Sequence, residues 1–220
     1  MSTPGGDLGK LSPWCRAHGL EITPEQLDKL DNYLKLLKIW AARVSLIGIS
    51  EVPVLATKHL PDCLFAAAHC PQSGRAADLG SGAGLPGIPL AIVRPGLEVD
   101  LVESRAKKIS FLTEATRDVP NATVRPQRIE KLHRTYDVVV ARALAPLDRL
   151  LPLARPTLLR GGQFLAMKSS SFARELTGIE PRSTGFSLTE SVAYELPSGE
   201  HRTLLKFVAT RDDRTLHIRR

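Results

Sequence analysis

The segment Asp78-Leu79-Gly80-Ser81-Gly82-Ala83-Gly84-Leu85-Pro86-Gly87 constrains the fold of this chain more than any other. It follows the short apolar run Ala76 to Leu79 and precedes another, Ile88 to Val93. Glycines at such a junction let the main chain leave a strand sharply and pass close to a ligand before a helix starts. Strand, glycine turn and helix in this order are the opening unit of an open, mostly parallel α/β sheet.

The sequence after Arg75 continues the alternation. Strands are expected at Val99 to Val102, Ala122 to Arg125, Tyr136 to Ala141 and Gln163 to Lys168. Between them a helix ends by Arg94, before Pro95-Gly96, and another starts with Ser104 as its cap. A third helix runs from Pro146 to Leu159, closed by Gly161-Gly162. Ser187 to Leu196 and Arg202 to Ala209 flank Pro197-Ser198-Gly199-Glu200 and read as an antiparallel hairpin. The fold class is therefore α/β and Rossmann-like, a mostly parallel seven-stranded sheet with a C-terminal antiparallel hairpin.

Upstream the pattern is helical. Thr23, Pro24 and Gln26 form a capping box with proline in the first turn. Leu27, Leu30, Leu34, Leu37, Ala41 and Val44 then recur at steps of three and four, one apolar stripe of a long helix. A second helical stretch covers about Val54 to Ala68. The organisation read from this is a tail at 1–10, a helical extension at 11–74 packed in front of the main domain, the α/β domain at 75–210 and a basic tail at 211–220.

Two registers of the glycine turn imply two cofactors. Gly82, Gly84 and Gly87 match the dinucleotide pattern G-x-G-x-x-G. Gly80, Gly82 and Gly84, led by Asp78, match the acidic-x-G-x-G-x-G pattern of enzymes that use S-adenosyl-L-methionine. Glu103 ends the second strand and serves either, because a carboxylate there accepts hydrogen bonds from ribose hydroxyls. The methyl donor is favoured because the strand ends at Leu79 and the turn begins at Gly80. A closing hairpin also suits a methyltransferase sheet, and a dehydrogenase would have little chain left for a substrate domain. The absence of Gly-Lys-Ser/Thr excludes a P-loop. The alternatives are an NAD(P)-dependent oxidoreductase and a noncatalytic RNA-binding assembly factor.

Charge bears on the partner. The 220 residues carry 30 Lys and Arg against 23 Asp and Glu, a net charge of +7. Residues 1–74 are neutral, whereas 103–134 hold eight bases against four acids and 142–182 seven against three. The excess lies in the α/β domain, which suits a polyanion such as RNA. Cys15, Cys63 and Cys70 lack Cys-x-x-Cys spacing, so no disulfide framework is expected, nor a metal site with His59 and His69. No signal peptide or membrane span is read, and a cytoplasmic monomer is expected.

The acceptor is read from absences. Methylation of an exocyclic amine usually goes with Asn/Asp-Pro-Pro-aromatic after the fourth strand, where this chain has Ala141-Arg142-Ala143-Leu144. Methylation of a pyrimidine carbon needs a cysteine nucleophile, yet all three cysteines precede the glycine turn. A ring nitrogen with a free lone pair, such as guanine N7, needs only positioning and exclusion of water.

Several segments together resemble one family. They are Gly80-Ser81-Gly82-Ala83-Gly84-Leu85-Pro86-Gly87-Ile88-Pro89-Leu90, Glu103-Ser104-Arg105-Ala106-Lys107-Lys108, Gln127-Arg128-Ile129-Glu130, Ala141-Arg142-Ala143 and Lys58-His59-Leu60-Pro61-Asp62-Cys63-Leu64. The chain is similar over about Trp40 to Lys168 to the RsmG (GidB) family, bacterial methyltransferases acting on guanine N7 of small-subunit (16S) ribosomal RNA. The resemblance implies a small-subunit RNA or 30S-type particle as partner. It places Asp78, Gly80, Gly82, Gly84 and Leu85 at the cofactor loop, Glu103 at the ribose and Ile129 with Glu130 at the adenine. Arg142 should reach the mouth of the site as a positioning residue, for the cofactor carboxylate or an RNA phosphate. Lys168 is a further phosphate candidate, equally a solvated lysine. His59 is a weaker substrate candidate and, with Asp62 one helical turn on, reads better as a structural pair. Where the family commonly carries asparagine and Asn-Leu-Thr, this chain has Ala41 and Ser45-Leu46-Ile47.

Overall fold

A computed structural model describes residues 8–9, 11–169, 172–177, 179 and 184–210. The expected tails at 1–10 and 211–220 lie, apart from residues 8–9, outside the described residues. Seven strands form one sheet in the order β3-β2-β1-β4-β5-β7-β6. These are β1 (Ser73–Leu79), β2 (Gly96–Glu103), β3 (Ala122–Pro126), β4 (Tyr136–Arg142), β5 (Leu158–Ser169), β6 (Phe186–Glu195) and β7 (His201–Ala209). β1 to β5 pair in parallel, and β7 enters antiparallel between β5 and β6. The expected sheet with its closing hairpin is thus the observed one.

The helices are α1 (Leu11–Ala17), α2 (Pro24–Ala41), α3 (Leu60–Ala68), α4 (Gly87–Val93), α5 (Ala106–Ala115), α6 (Leu147–Ala154) and α7 (Ala173–Leu176). The capping box on α2 forms as read: Thr23 accepts from the Gln26 amide and Gln26 accepts from the Thr23 amide. Its stripe buries Leu30, Leu34, Leu37 and Ala41, together with Tyr33, which the periodicity had skipped. A π-helical turn, Leu55–His59, leads directly into α3, so the second helical stretch stands. Within the extension, α1 is not marked by any periodicity in the sequence, and its buried Leu11 and Cys15 join the same core.

Burial explains the strand composition. Val138, Val139, Val140 and Ala141 in β4 are at most 1% exposed, as befits a central parallel strand covered on both faces. One apolar cluster lies on the side of α2, α3 and α4 and another on the side of α6. The extension is therefore packed into the core of the sheet.

Two boundary expectations fail. The helix after β4 stops at Ala154, because Pro152 and Pro156 remove main-chain donors; β5 starts at Leu158. Gly161 and Gly162 accordingly lie inside β5, where the pairing with β4 shifts register, and Gly161 takes φ +79°. Ser104 is not the cap of α5. Arg105 holds that position without a side-chain cap, and the Ser104 amide donates to Glu103 instead.

Candidate active site

Sheet order fixes where a ligand can sit. From β1 the chain steps outward through β2 to β3, then returns to lay β4 and β5 on the other side of β1. Connections at the carboxyl ends of β1 and β4 therefore diverge and leave a crevice between them. The glycine turn, the loop after β2 and the turn after β4 meet there.

Positive φ values at Gly80 (+70°), Gly82 (+57°) and Gly84 (+81°) explain why the turn needs glycine. Asp78 lies beneath it, 1% exposed, and accepts from the Gly87 amide at 3.0 Å. Burial raises its pKa to about 7, partly offset by that hydrogen bond. Asp78 thus braces the two ends of the turn from inside. Tyr33 of α2 adds a support from the extension, donating to the Ala83 carbonyl at 2.7 Å, a contact that the apolar periodicity of α2 does not encode.

Glu103, the last residue of β2, organises the loop that follows. One carboxylate oxygen accepts from the amides of Ser104 (2.8 Å) and Arg105 (2.9 Å), the other from Gly82 (3.1 Å). Three of about four acceptor sites on the carboxylate are therefore used, leaving one on the oxygen bonded to Gly82. That oxygen belongs to a residue lining a cavity of about 420 Å³. Gly80, Glu103, Ile129 and Glu130 all line it, with apolar Val102, Leu144 and Leu153. A nucleoside fits such a surface: one acidic acceptor for a ribose hydroxyl and aliphatic side chains for a base. Asp78, Gly82, Gly84 and Leu85 do not line it: Asp78 braces the turn, Gly82 and Gly84 supply its positive φ angles, and Leu85 is buried.

A second cavity of about 500 Å³ shares the wall Ala143-Leu144-Ala145 and opens over the ends of β4 and β5. Arg142 and Lys168 line this one, so the structure separates them from the Glu103 crevice. The Arg142 guanidinium donates to Asp62 (2.8 Å) and to Nδ1 of His59. Asp62 also accepts from the Tyr194 hydroxyl at 2.5 Å. Nε2 of His59 faces Glu51 at 2.7 Å. A carboxylate only accepts, so Nε2 carries the proton and Nδ1 is free to accept from Arg142. Burial and the Arg142 charge both lower the His59 pKa, which keeps that tautomer neutral. His59 and Asp62 are thus brought together, but through Arg142. Tyr194, far away in the sequence on β6, completes the cluster unforeseen.

Lys168 is engaged as well, donating to the Ala145 carbonyl at 3.2 Å and pairing with Glu175 at 2.6 Å. The cysteines are free and buried. Burial pushes the thiols of Cys15 and Cys70 up to about 12, and that of Cys63 higher, so all three stay protonated at neutral pH. Among the described residues no three His, Cys, Asp or Glu side chains are grouped to hold a metal ion, and no helix is long and apolar enough to cross a membrane.

Sheet order, glycine turn and acidic strand end together define the Rossmann-like methyltransferase class. Solved structures share that fold: M. jannaschii TYW2 in complex with AdoMet aligns with TM-score 0.56 and 15% identity, covering 69% of this chain and 76% of that one. Aeropyrum pernix fibrillarin with natively bound S-adenosyl-L-methionine aligns at 0.51 and 18%, over 63% and 69%. The chain belongs to the GidB family, rRNA small subunit methyltransferase G, whose model matches residues 26–203. A relative from Nitrobacter hamburgensis, named Ribosomal RNA small subunit methyltransferase G, is 39% identical over 199 residues, 83% of this chain and 76% of its own length. One of the same name from Chlorobium chlorochromatii is 36% identical over 171 residues, 76% and 73%.

Proposed function

We propose that this protein transfers the methyl group of S-adenosyl-L-methionine to N7 of a guanine in small-subunit (16S) ribosomal RNA, in the cytoplasm. The carrying observation is the Glu103 crevice, whose one remaining acceptor and aliphatic lining suit the cofactor's nucleoside. The cofactor supplies an electrophilic methyl on a sulfonium. Family membership supports the RNA assignment, and so does the excess of basic over acidic residues in the α/β domain.

Guanine N7 is supported by what the residues offer. Its lone pair is unprotonated at neutral pH, so the protein need only hold the two reactants in line and keep water out. The second cavity adjoins the crevice and has room for a flipped purine. The turn after β4 contributes Ala143-Leu144-Ala145 there, with no side-chain carboxamide or carboxylate of its own for an exocyclic amine. The three thiols are buried and protonated, which disfavours attack on a pyrimidine carbon. Arg142 is best read as the support of this cavity's wall, held by Asp62 and His59.

The test is transfer of labelled methyl from the cofactor to small-subunit particles and to naked 16S RNA, followed by mapping of the modified nucleotide. Label at a guanine N7 is the expected result. Label at another atom removes the N7 assignment, and cofactor binding without transfer to either RNA removes the acceptor.

A further inference from the structure

The two cavities are divided by one short turn. Ala143, Leu144 and Ala145 line both, so their placement sets the cofactor's crevice and the acceptor's space together. The turn is not intrinsically comfortable. Ala143 has φ +51°, a left-handed conformation that a side chain disfavours and that lasts only where the surroundings hold it. Leu144 next to it packs on Gly80 so closely that a Cβ there would lie 2.6 Å from its Cδ1.

What holds the turn can be named. Before it, Arg142 is anchored by Asp62 and His59. After it, the Lys168 ammonium donates to the Ala145 carbonyl at 3.2 Å and to Glu175 at 2.6 Å. The same Glu175 oxygen accepts from the Leu147 amide at 3.0 Å, at the first residue of α6. Lys168 and Glu175 therefore grip the turn's exit at two main-chain atoms, and neither could do so alone. The Lys168 side chain is 10% exposed, so its charge is largely withdrawn from solvent. A carboxylate at 2.6 Å also weakens any phosphate's attraction to it.

We propose that Lys168 and Glu175 form a positioning pair that fixes the 143–147 turn, the common wall of the cofactor crevice and the acceptor cavity. The proposal rests on the methyltransferase reading for its activity readouts. Its structural readout stands apart from that reading.

The test compares Lys168→Met, Glu175→Gln, Lys168→Arg and the double variant Lys168→Met/Glu175→Gln with the unaltered protein, each checked for a cooperative thermal transition. Without ligand, hydrogen exchange at the Leu147 amide should quicken in both Lys168→Met and Glu175→Gln. In calorimetry, S-adenosyl-L-methionine should bind those two about three- to tenfold more weakly, as expected for a wall displaced rather than removed. In methyl transfer to small-subunit particles, kcat should fall by about ten- to a hundredfold while KM for the particle changes little. The double variant should be no worse than the worse single one, because the two side chains act as a unit. Lys168→Arg, which keeps both charge and donors, should retain more activity than Lys168→Met.

A phosphate contact gives a different outcome. Lys168→Met would then raise KM and reduce the salt dependence by about one counterion, with kcat intact. Glu175→Gln would free the lysine and tighten RNA binding. Either result overturns the proposal, as does unchanged Leu147 exchange in both variants, whatever the protein binds. If the unaltered protein binds cofactor but methylates no small-subunit RNA, the acceptor assignment fails, while exchange and cofactor affinity still decide the positioning pair.

Discussion

The hydroxyl of Tyr33, in the N-terminal extension, donates at 2.7 Å to the carbonyl of Ala83, in the middle of the glycine turn. Both residues are buried, at 4% and 5% exposure, so water cannot replace the bond. A second bond ties α2 to the helix that follows the turn, from the Gln26 side chain to the Ile92 carbonyl near the end of α4. The extension is therefore part of what shapes the glycine turn. Tyr33→Phe keeps the packing but orphans a buried carbonyl, which should lower stability by about 1–3 kcal/mol. Urea unfolding measures that loss, and calorimetry should show weaker binding of S-adenosyl-L-methionine. Unchanged affinity in a folded Tyr33→Phe protein would mean the loop holds its shape unaided.

Gly80 and Gly161 separate two uses of glycine. Both have positive φ, +70° and +79°. A Cβ on Gly161 meets nothing within 4 Å, whereas one on Gly80 runs into Leu144. Gly161→Ala should therefore lose only the backbone term, about 1–2 kcal/mol, with cofactor binding kept. Gly80→Ala should weaken cofactor binding, because the added Cβ would displace Leu144, part of the wall that the crevice shares with the second cavity. Equal effects of the two substitutions on calorimetric affinity would sink this distinction.

Asp62 holds two partners at once, Arg142 and Tyr194, with its side chain 4% exposed and that of Arg142 16%. Asp62→Ala leaves a largely buried guanidinium without its counter-charge, and should destabilise by about 3–5 kcal/mol. Arg142→Lys should do less for stability but impair transfer. A point-charged ammonium cannot reproduce the planar fork that reaches Asp62 and His59 together. Thermal unfolding paired with single-turnover transfer separates the two effects.

The strands and the glycine turn were legible because local chemistry decides them. The Val-rich β4 run has to be buried, and Gly80, Gly82 and Gly84 are used at backbone angles other residues avoid. Gly161-Gly162 misled for the opposite reason: glycine fits a strand irregularity as well as a helix end, and only the pairing of β5 with β4 shows which. The roles of Arg142 and Lys168 depend on Asp62, Tyr194 and Glu175, which reach them from other elements of the fold. Tyr194 lies 132 residues from the Asp62 it binds, a pairing no local pattern encodes.

The buried carboxyl of Asp78 makes stability depend on pH in a direction opposite to most acids. Burial raises its pKa from the ordinary 3.8 to about 7. Between those values the folded protein keeps a proton that the unfolded chain has released. Unfolding then releases a proton, so rising pH favours it, and this group's contribution to stability falls from about pH 4 to about pH 7. A surface carboxylate in an ion pair would do the reverse. Asp78→Asn retains an oxygen able to accept from the Gly87 amide and removes the titration. Urea denaturation at stepped pH should therefore show a flatter profile for the variant over that interval, with its advantage greatest at the alkaline end. Parallel profiles for the two proteins would show that Asp78 is ionised in the folded state over that interval, its charge held by the Gly87 amide, Ser81 and the Arg142 charge.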